Sequence, residues 1–437
     1  MSKTRTPRES FYNTAIIGAG GNRGFKYTTK NKDAGTKFNI VSIAETDKKR
    51  RDTYIDSFPE LDLDVYKSGK ELLKNGKGFN NVFITTPDHM HKDLAISALE
   101  RDYNLLLEKP MANTLEDCQE IMDAYEQSKA RAMVCHVLKH GQWAQEIKNL
   151  ISNSHQNSLG KLKHINMTEY IGDRHCSHAY VRGQWAQEND KCGPILLTKS
   201  CHDTDLIEWW VPSSLVKAYS EGSLTHFVEE NAPEDSADNC LECKVKNCKY
   251  DAIDYYVDGD IFQKGKKHTP ENIDYPQNVI SRSTNREERI DALKNEASQY
   301  ARCAFKCDNN VMDNQTVEYT FEDKVTADFK LTYKGEHMTR QVNIEMENGN
   351  IYGDLAKGEL YVQIKGEKAV QIPLNDKGGH GGGDVGILRS FQKLIESDNP
   401  ENDPDLNKTS IERSLKSHEM VFKAEESRKL GEEVYFN

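Results

Sequence analysis

The stretch Thr14-Ala-Ile-Ile-Gly18-Ala-Gly20-Gly21-Asn22-Arg23-Gly24 begins as a short apolar strand and ends in a glycine-rich turn. Glycines suit a turn in which the backbone approaches a pyrophosphate closely and a helix N-terminus points at the anion. The run is one residue longer than the pattern G-x-G-x-x-G, so its context must support it. We predict a nucleotide-binding turn made of Gly18, Gly20, Gly21, Asn22, Arg23 and Gly24.

A second apolar run, Phe38–Ala44, ends next to an acidic residue, Glu45, which lies 21 positions after Gly24. A carboxylate in this place accepts hydrogen bonds from the ribose hydroxyls of NAD and repels the 2′-phosphate of NADP. The basic residues at 48–51 either soften that repulsion or form the solvated first turn of a helix. We therefore expect NAD as the cofactor, with NADP less favoured.

Strand and helix patterns alternate along the first third of the chain. Apolar runs at Asn81–Thr86, Asn104–Leu107 and Met133–Val137 predict strands, and Leu115–Tyr125 has apolar residues at helical spacing. Such alternation predicts a doubly wound parallel sheet of the Rossmann type. We expect this first domain to span residues 1–137.

The pattern changes in the second half of the chain. Six segments between Thr316 and Pro373 alternate apolar and polar residues, which predicts a large, mainly antiparallel sheet with one buried face. Helical patterns follow at 384–397 and 409–430. The expected fold class is α/β, with the Rossmann-type sheet first and an α+β domain with an open sheet over residues 138–437.

Composition excludes several classes of protein. The chain has 437 residues and a formal net charge of −12, so it lacks the basic balance of a nucleic-acid binder. No segment approaches the roughly 18 apolar residues of a membrane-spanning helix. The N-terminal residues are polar and do not resemble a secretory signal. We expect a cytoplasmic protein with reduced cysteines.

An insertion at about 226–310 interrupts the sheet pattern and has little apolar sequence of its own. It contains Cys240-x2-Cys243-x4-Cys248 and Cys303-x3-Cys307. Two thiolates two residues apart chelate one ion from a turn, and further thiolates complete a tetrahedral site. We predict a structural zinc ion held by these five cysteines, with free thiols or a disulfide as the alternatives.

The sequence resembles one family, the Gfo/Idh/MocA oxidoreductases. The resemblance rests on the glycine turn, on Thr85-Thr86-Pro87 with His91, on Glu108-Lys109-Pro110 and on Cys201–Leu206. It covers nearly the whole chain except the insertion, which matches only a cysteine-rich branch of the family. It implies cofactor contacts from Thr86, Pro87, His91, Glu108 and Lys109.

The resemblance also implies catalytic roles. It places Lys109 where the nicotinamide meets the substrate and makes His202 an acid/base. Many members carry an aspartate four residues before this histidine, where this chain has Thr198. Lys199 and Tyr180 are further candidate catalytic residues, and four others are predicted to contact the substrate: His178, Arg182, Trp185 and Asp203. For His178, a metal ligand and a plain polar loop are the alternatives.

The activity implied by the resemblance is hydride transfer to or from a secondary hydroxyl of a sugar, glycoside or cyclitol. One alternative is a redox-assisted glycosidase, in which oxidation, elimination, hydration and reduction use one cofactor molecule. Another is a non-catalytic sensor of cofactor or sugar. In this family the open face of the second sheet commonly forms a subunit interface, so a homo-oligomer, dimer or tetramer, is expected.

Overall fold

The computed structural model describes residues 12–259, 273, 275–375 and 380–436. The expectation for the N-terminal segment falls on residues 1–11 and so lies outside the described residues. By contacts the chain divides into two compact units. The first contains the described residues up to Lys148 and those between Asn375 and Glu419, and the second contains Asn149–Leu374 and the residues from Met420 onward.

A six-stranded parallel sheet in the order β3-β2-β1-β4-β5-β6 forms the centre of the first unit. Its strands are β1 (Tyr12–Ile17), β2 (Phe38–Ala44), β3 (Asp64–Tyr66), β4 (Asn81–Ile84), β5 (Asn104–Leu107) and β6 (Ala132–Val134). The helices are α1 (Asn22–Ala34), α2 (Lys48–Ser57), α3 (Gly69–Asn75), α4 (His91–Leu99), α5 (Leu115–Gln127) and α6 (Gln142–Ser152). The predicted doubly wound Rossmann sheet is confirmed.

Side-chain oxygens set the starts of three of these helices. Asp47, Ser68 and Thr114 accept hydrogen bonds from the first-turn amides of α2, α3 and α5 respectively. Such caps satisfy backbone donors that would otherwise lack a helical partner. The cap residues therefore fix where these helices begin, and the loops between strand ends and helix starts lie at the carboxyl edge of the sheet.

The second unit contains a nine-stranded sheet in the order β14-β13-β12-β11-β7-β10-β9-β8-β15. Its strands are β7 (Leu162–Tyr170), β8 (Leu215–Ser223), β9 (Asn314–Phe321), β10 (Thr326–Thr332), β11 (Thr339–Met346), β12 (Gly349–Asp354), β13 (Glu359–Ile364), β14 (Val370–Gln371) and β15 (Val434–Tyr435). All pairings are antiparallel except that of β10 with β7. The expected mainly antiparallel sheet is confirmed.

The insertion lies between β8 and β9 and, in its described part, has a small apolar core, contrary to the expectation from its sequence. The core includes Ala252, Tyr256, Leu293 and Tyr300. Among the elements of this unit outside the sheet are the helices α7 (Asp173–Cys176), α8 (Ile195–Thr198), α9 (Cys201–Trp210), α10 (Gln277–Ile280) and α11 (Arg286–Lys294). The core forms because aromatic side chains interrupt the polar sequence at positions that the fold brings together.

Three C-terminal helices follow: α12 (Gly383–Glu396), α13 (Pro404–Asn407) and α14 (Ile411–Leu430). The prediction assigned all of them to the second domain, whereas α12 and α13 pack in the first unit. Phe391 of α12 stacks on Phe38 at 5.8 Å and meets Phe83 edge-on at 5.9 Å. Burial of this apolar helix face against the parallel sheet explains the correction.

The structure also bears on membrane-spanning helices and on the pairing of the cysteines. Within the described residues, no helix combines the length and apolarity needed to cross a membrane. All ten cysteines lie in the described part of the chain, and no disulfide joins any two of them.

Candidate active site

The glycine turn after β1 leaves no room for side chains. Gly18 has a φ of +85°, and a Cβ atom there would lie 2.7 Å from the carbonyl oxygen of Thr85. Thr85 fixes this close approach because its hydroxyl donates to the carbonyls of Ile17 at 3.0 Å and Gly18 at 3.1 Å. The turn thus presents bare backbone at the carboxyl edge of the sheet, as a pyrophosphate requires.

Glu45, at the end of β2, faces the same turn. Its Oε2 accepts a hydrogen bond from the amide of Gly20 at 3.0 Å, and its Oε1 accepts from the amide of Asp47 at 3.1 Å. A Cβ atom on Gly20 would lie 2.9 Å from the same Oε2. A carboxylate is therefore held directly beside the glycine turn.

The basic residues after Glu45 are partly engaged elsewhere. The guanidinium of Arg51 donates to the backbone carbonyl of Glu45 at 2.6 Å. Lys48 pairs with Asp52 one helical turn away at 2.5 Å. Arg51 and Lys48 are thus engaged in contacts away from the Glu45 carboxylate, which keeps its negative charge beside the glycine turn.

The residues present fit a dinucleotide. Gly18 and Gly20 form a cradle that side chains would fill, and Thr86 adds a buried hydroxyl with no hydrogen-bond partner among the described residues. Leaving such a group unsatisfied costs about 1–3 kcal/mol, so a bound polar ligand would relieve the penalty. Thr86 and Pro87 follow β4, the strand next to β1, and so lie at the same edge of the sheet.

His91, predicted as a structural or cofactor-neighbouring residue, links two loops at the edge of the sheet, and its contact with the cofactor stays a prediction. Its side chain is fully buried, with ring nitrogens 2.8 Å from the carbonyl oxygen of Pro110 and 3.0 Å from that of Thr86. The ring thus joins the loop after β4 to the loop after β5. The peptide bond between Lys109 and Pro110 in the second loop is cis.

Arg23 and Glu108, also predicted cofactor residues, bind each other. Arg23 donates to Oε1 of Glu108 at 2.6 Å and to Asp384 at 2.9 Å, and Tyr27 donates to the same oxygen of Glu108 at 2.5 Å. Lys26 pairs with the other oxygen of Asp384 at 2.6 Å. This network ties the first turns of α1 to the loop that carries Lys109 and to α12.

Charge balance keeps both acids of this network ionised. Burial alone would raise the pKa of Glu108, but Arg23 and the hydroxyl of Tyr27 outweigh it and lower the pKa. Burial acts in the same direction on Asp384, and there His380, Arg23 and Lys26 hold the pKa far below its usual range. The two carboxylates therefore pair with the guanidinium of Arg23 and the ammonium of Lys26.

Lys109 is half-buried at the end of β5, and its backbone amide donates to Oε2 of Glu108 at 3.2 Å. Glu108 thus uses one oxygen for Arg23 and Tyr27 and the other for the backbone of its neighbour. The role of the glutamate in the Glu-Lys-Pro segment is to fix the position of the lysine. The catalytic role of Lys109 stays a prediction.

A buried charged cluster in the second unit was missed by the sequence analysis. Arg340 of β11 is the cross-strand partner of Glu169 of β7, and their side chains pair at 2.6 Å. Arg340 also pairs with Asp203 of α9 at 2.7 Å, and Lys199 lies 3.2 Å from Glu169. Strand alternation could have found it, because Glu169 and Arg340 each stand at an inward-facing position of their strand.

Two predicted site residues belong to this cluster. Asp203, expected to contact the substrate, is fully buried and accepts a hydrogen bond from Arg340, and its contact with the substrate stays a prediction. Lys199, expected to act in catalysis, is directed at Glu169 and at the sulfur of Met338, 2.9 Å away. Burial raises the pKa of Asp203, whereas for Glu169 the charges of Arg340 and Lys199 overcome burial and lower the pKa to about 2.

His202 lies buried in the first turn of α9. At the position where many family members have aspartate, the hydroxyl of Thr198 donates to the carbonyl of Pro194 at 3.2 Å, within its own short helix. The Thr198 hydroxyl therefore satisfies a nearby backbone carbonyl, and the chain has no carboxylate at this position. The acid/base role of His202 stays a prediction.

Three further predicted site residues, His178, Tyr180 and Arg182, lie in a π-helical turn, Ser177–Arg182. Trp185 follows this turn. His178 lies 2.9 Å from the hydroxyl of Tyr256 and stacks on Tyr300 at 4.8 Å, so it packs against the insertion. Tyr180 is buried and stacks on the half-buried Trp185 at 6.0 Å. Both stay predictions as substrate-site residues.

Arg182 anchors the insertion and is not placed as a substrate contact. Its Nε donates to the carbonyl of Arg302 at 2.7 Å, and its Nη2 donates to that of Tyr250 at 2.7 Å. The side chain is 3% exposed. Two sequence-distant parts of the insertion thus converge on one guanidinium.

The five clustered cysteines do not form a ready metal site. Within the described ranges, no three His, Cys, Asp or Glu side chains are arranged to hold an ion. The predicted zinc ion is therefore not shown by the geometry and stays a prediction.

His178 makes stability depend on pH. Burial lowers the pKa of His178 to about 3, so below about pH 6.5 the unfolded chain takes up a proton that the folded chain excludes. This contribution to the free energy of unfolding is full above that pH and falls as pH drops, by about 2 kcal/mol between pH 7 and pH 5. His178→Gln should remove that part of the dependence in urea unfolding curves. The matched variant His155→Gln, at an exposed histidine, should leave it, and an unchanged slope in His178→Gln would contradict the assignment.

Comparison with known proteins decides the family. Residues 12–136 match the sequence profile named GFO_IDH_MocA, described as an oxidoreductase family with an NAD-binding Rossmann fold. Residues 12–136 therefore belong to the Gfo/Idh/MocA oxidoreductase family. The chain's likeness to the provisionally named oxidoreductase YteT of Bacillus subtilis (strain 168) extends further, with 21% identity over 386 residues and 82% of each chain covered.

Other curated relatives match over shorter stretches. Glucose-6-phosphate 3-dehydrogenase of Bacillus subtilis (strain 168) is 25% identical over 150 residues, which cover 34% of this chain and 40% of the relative. Alpha-N-acetylgalactosaminidase of Shewanella oneidensis is 30% identical over 97 residues, covering 22% and 20% respectively. The chain thus spans less than half the length of either relative.

Solved structures share the fold over nearly the full chain. Levoglucosan dehydrogenase in complex with NADH superposes with a TM-score of 0.68 at 13% identity, covering 98% of this chain and all of that one. An inositol dehydrogenase homologue from Azotobacter vinelandii, in complex with NAD+, gives a TM-score of 0.69 at 14% identity, covering 98% and 97%. At such identities the likeness shows the fold alone.

Proposed function

We propose that this protein is an NAD-dependent dehydrogenase of the Gfo/Idh/MocA type that acts on a secondary hydroxyl of a sugar, glycoside or cyclitol. The observation that carries the proposal is the Glu45 carboxylate held beside a glycine turn with no space for side chains. A carboxylate there accepts from ribose hydroxyls and repels a 2′-phosphate. The substrate class is supported by relatives whose names are those of sugar and cyclitol dehydrogenases.

The chain's own residues supply binding and proton transfer. Gly18 and Gly20 would receive the pyrophosphate, Glu45 the adenosine ribose, and Thr86 a polar group of the cofactor. When bound, NAD+ accepts the hydride from the alcohol carbon. Lys109 would hold the reacting hydroxyl by a hydrogen bond and take its proton as the carbonyl forms, returning it in the reverse direction. His202 is proposed as a second acid/base group.

Glu45 offers a direct test of cofactor choice. Glu45→Gln keeps an acceptor for the amide of Gly20 but removes the negative charge that would face a 2′-phosphate. Because like-charge repulsion of this kind costs several kcal/mol, the ratio of kcat/KM for NADP over NAD should rise about 100-fold. The matched control is Glu60→Gln, at an exposed glutamate, and it should leave the ratio unchanged. A ratio in Glu45→Gln equal to that of the wild type would contradict the placement of the ribose.

A redox-assisted glycosidase is the second candidate, and the similarity to an alpha-N-acetylgalactosaminidase favours it. In that route the hydride returns to the sugar from the same cofactor molecule, so no net NADH forms. Nitrophenyl glycosides and free polyols separate the two activities. NADH formed in equal amount to the alcohol consumed supports the dehydrogenase, whereas nitrophenol released without NADH supports the glycosidase.

Three further predictions are untested. The homo-oligomer through the open face of the second sheet, the cytoplasmic location and the non-catalytic sensor each remain as stated from the sequence. NAD binding without turnover across a broad polyol and glycoside panel would favour the sensor.

A further inference from the structure

A histidine of α14 binds the backbone just after Lys109 and Pro110. The amide of Met111 donates to Nε2 of His418 at 2.8 Å. The two residues are 307 positions apart in the chain, and both are fully buried. Because a buried amide without an acceptor is costly, this hydrogen bond fixes the path of the chain directly after the lysine and its proline.

The two ring nitrogens of His418 have different roles. Nδ1 lies 2.6 Å from the carbonyl oxygen of Ser414, one turn earlier in α14, so Nδ1 must donate. Nε2 faces the amide of Met111 and must accept, which assigns the proton to Nδ1 and makes the ring neutral. One nitrogen thus binds the ring to its own helix, and the other holds the loop after β5.

The peptide group that joins Pro110 to Met111 is held from both ends by histidines. Its carbonyl oxygen lies 2.8 Å from Nδ1 of His91, the first residue of α4, and its amide donates to His418. A peptide group is planar, so contacts at both ends fix its orientation. We call this arrangement of His91, His418 and the peptide group between them the histidine clamp.

A third histidine shows that the clamp lies near the charged end of Lys109. The ring of His136 meets that of His418 edge-on, with 5.5 Å between their centroids. Burial, together with the positive charges of Lys139 and Lys109, lowers the pKa of His136 well below its usual value. The charge of Lys109 therefore acts on the ring that packs against His418.

We propose that His418 is a positioning residue, which holds Lys109 at the reacting hydroxyl by fixing the peptide group between Pro110 and Met111. The inference rests on the proposed role of Lys109 in proton transfer. A displacement of a reacting group by about 1 Å costs a factor of about 100 in rate. The clamp limits such displacement, since it fixes the backbone on the carboxyl side of the lysine while Glu108 binds the lysine's own amide.

Two substitutions of His418 test the proposal. His418→Leu removes the acceptor for the amide of Met111, whereas the side-chain oxygen of His418→Gln can replace Nε2. The leucine variant should lower kcat about 100-fold with the Kd for NAD within about threefold of the wild type, and the glutamine variant should regain about tenfold of that loss. A kcat of His418→Leu within about twofold of the wild type, or no recovery in His418→Gln, would overturn the proposal.

His140→Leu is the matched control for general destabilisation. His140 is another buried histidine of the first unit, with ring nitrogens 3.0 Å and 3.2 Å from the hydroxyls of Ser390 and Thr409. Its loss should weaken resistance to urea, as the loss of His418 does, but leave kcat unchanged. An equal fall of kcat in His140→Leu would assign the effect to the stability of the fold and overturn the positioning role.

Hydrogen exchange tests the clamp without any turnover. In a peptide covering residues 109–112, followed by mass spectrometry, exchange should be about tenfold faster in His418→Leu than in the wild type and slower again in His418→Gln. Unchanged exchange in His418→Leu would overturn the clamp, whatever the activity of the wild type. Wild-type protein that binds NAD without turnover would instead overturn the proposed activity on which the inference rests, so the two failures are distinguishable.

Discussion

Lys109→Ala is expected to lower kcat by about 100- to 10,000-fold while leaving the Kd for NAD within about threefold of the wild type. The reason is that the ammonium is proposed to act on the reacting hydroxyl, whereas the cofactor is proposed to be held by the glycine turn and Glu45. Glu108 also fixes the lysine backbone through its amide, so removal of the side chain leaves the loop anchored. Initial rates and calorimetric titration of NAD measure the two quantities separately.

Lys74→Ala is the matched control, because Lys74 is an exposed lysine in α3 of the same unit. It should leave both kcat and NAD binding unchanged. Activity of Lys109→Ala within about twofold of the wild type would contradict the proposed role. Loss of NAD binding together with activity would assign Lys109 to cofactor binding instead.

Arg340→Met should lower the free energy of unfolding by about 3–5 kcal/mol, measured by urea denaturation at neutral pH. Arg340 is buried between Glu169 and Asp203, with contacts of 2.6 Å and 2.7 Å. Removing it leaves the carboxyl groups of Glu169 and Asp203 buried without that guanidinium, with the ammonium of Lys199 3.2 Å from Glu169. The loss is the cost of uncompensated buried charge rather than the value of one ion pair.

The control is Arg286→Met, whose bidentate pair with Asp258 is largely solvent-exposed, so the variant should leave the free energy of unfolding nearly unchanged. The double variant Arg340→Met with Asp203→Asn should recover part of the loss, because one unpaired charge has been removed. A loss below about 1 kcal/mol for Arg340→Met would show that water reaches the cluster and that its burial has been overstated.

The elements with strong local patterns were predictable from the sequence. The glycine turn, its flanking strands and the alternating strands of the second sheet are confirmed, and β13 has the predicted bounds, Glu359–Ile364. Period-two alternation and a glycine-rich strand end are local patterns, so they can be recognised without knowledge of the tertiary structure. Short β3, with two of its three residues exposed, has no such signal.

The long-range contacts of the candidate site could not be predicted from local sequence patterns. Arg23 and Asp384 are separated by 361 positions, and nothing local to either residue indicates that they pair. Glu108 could be recognised as part of a motif, but its role as an anchor depends on Arg23 and Tyr27, which the fold brings to it. Arg182 was predicted as a substrate contact, whereas in the structure it donates to backbone carbonyls of the insertion that lie far from it in sequence.

Isotope transfer tests the central claim most directly. A polyol or glycoside that is turned over in the panel should be prepared with deuterium at the carbon that carries the reacting hydroxyl and incubated with NAD+ and the wild-type protein. The dehydrogenase account predicts that deuterium appears at C4 of the NADH formed, in equal amount to the alcohol oxidised. Deuterium retained in the sugar with no net NADH, or NADH formed without deuterium at C4, would contradict it.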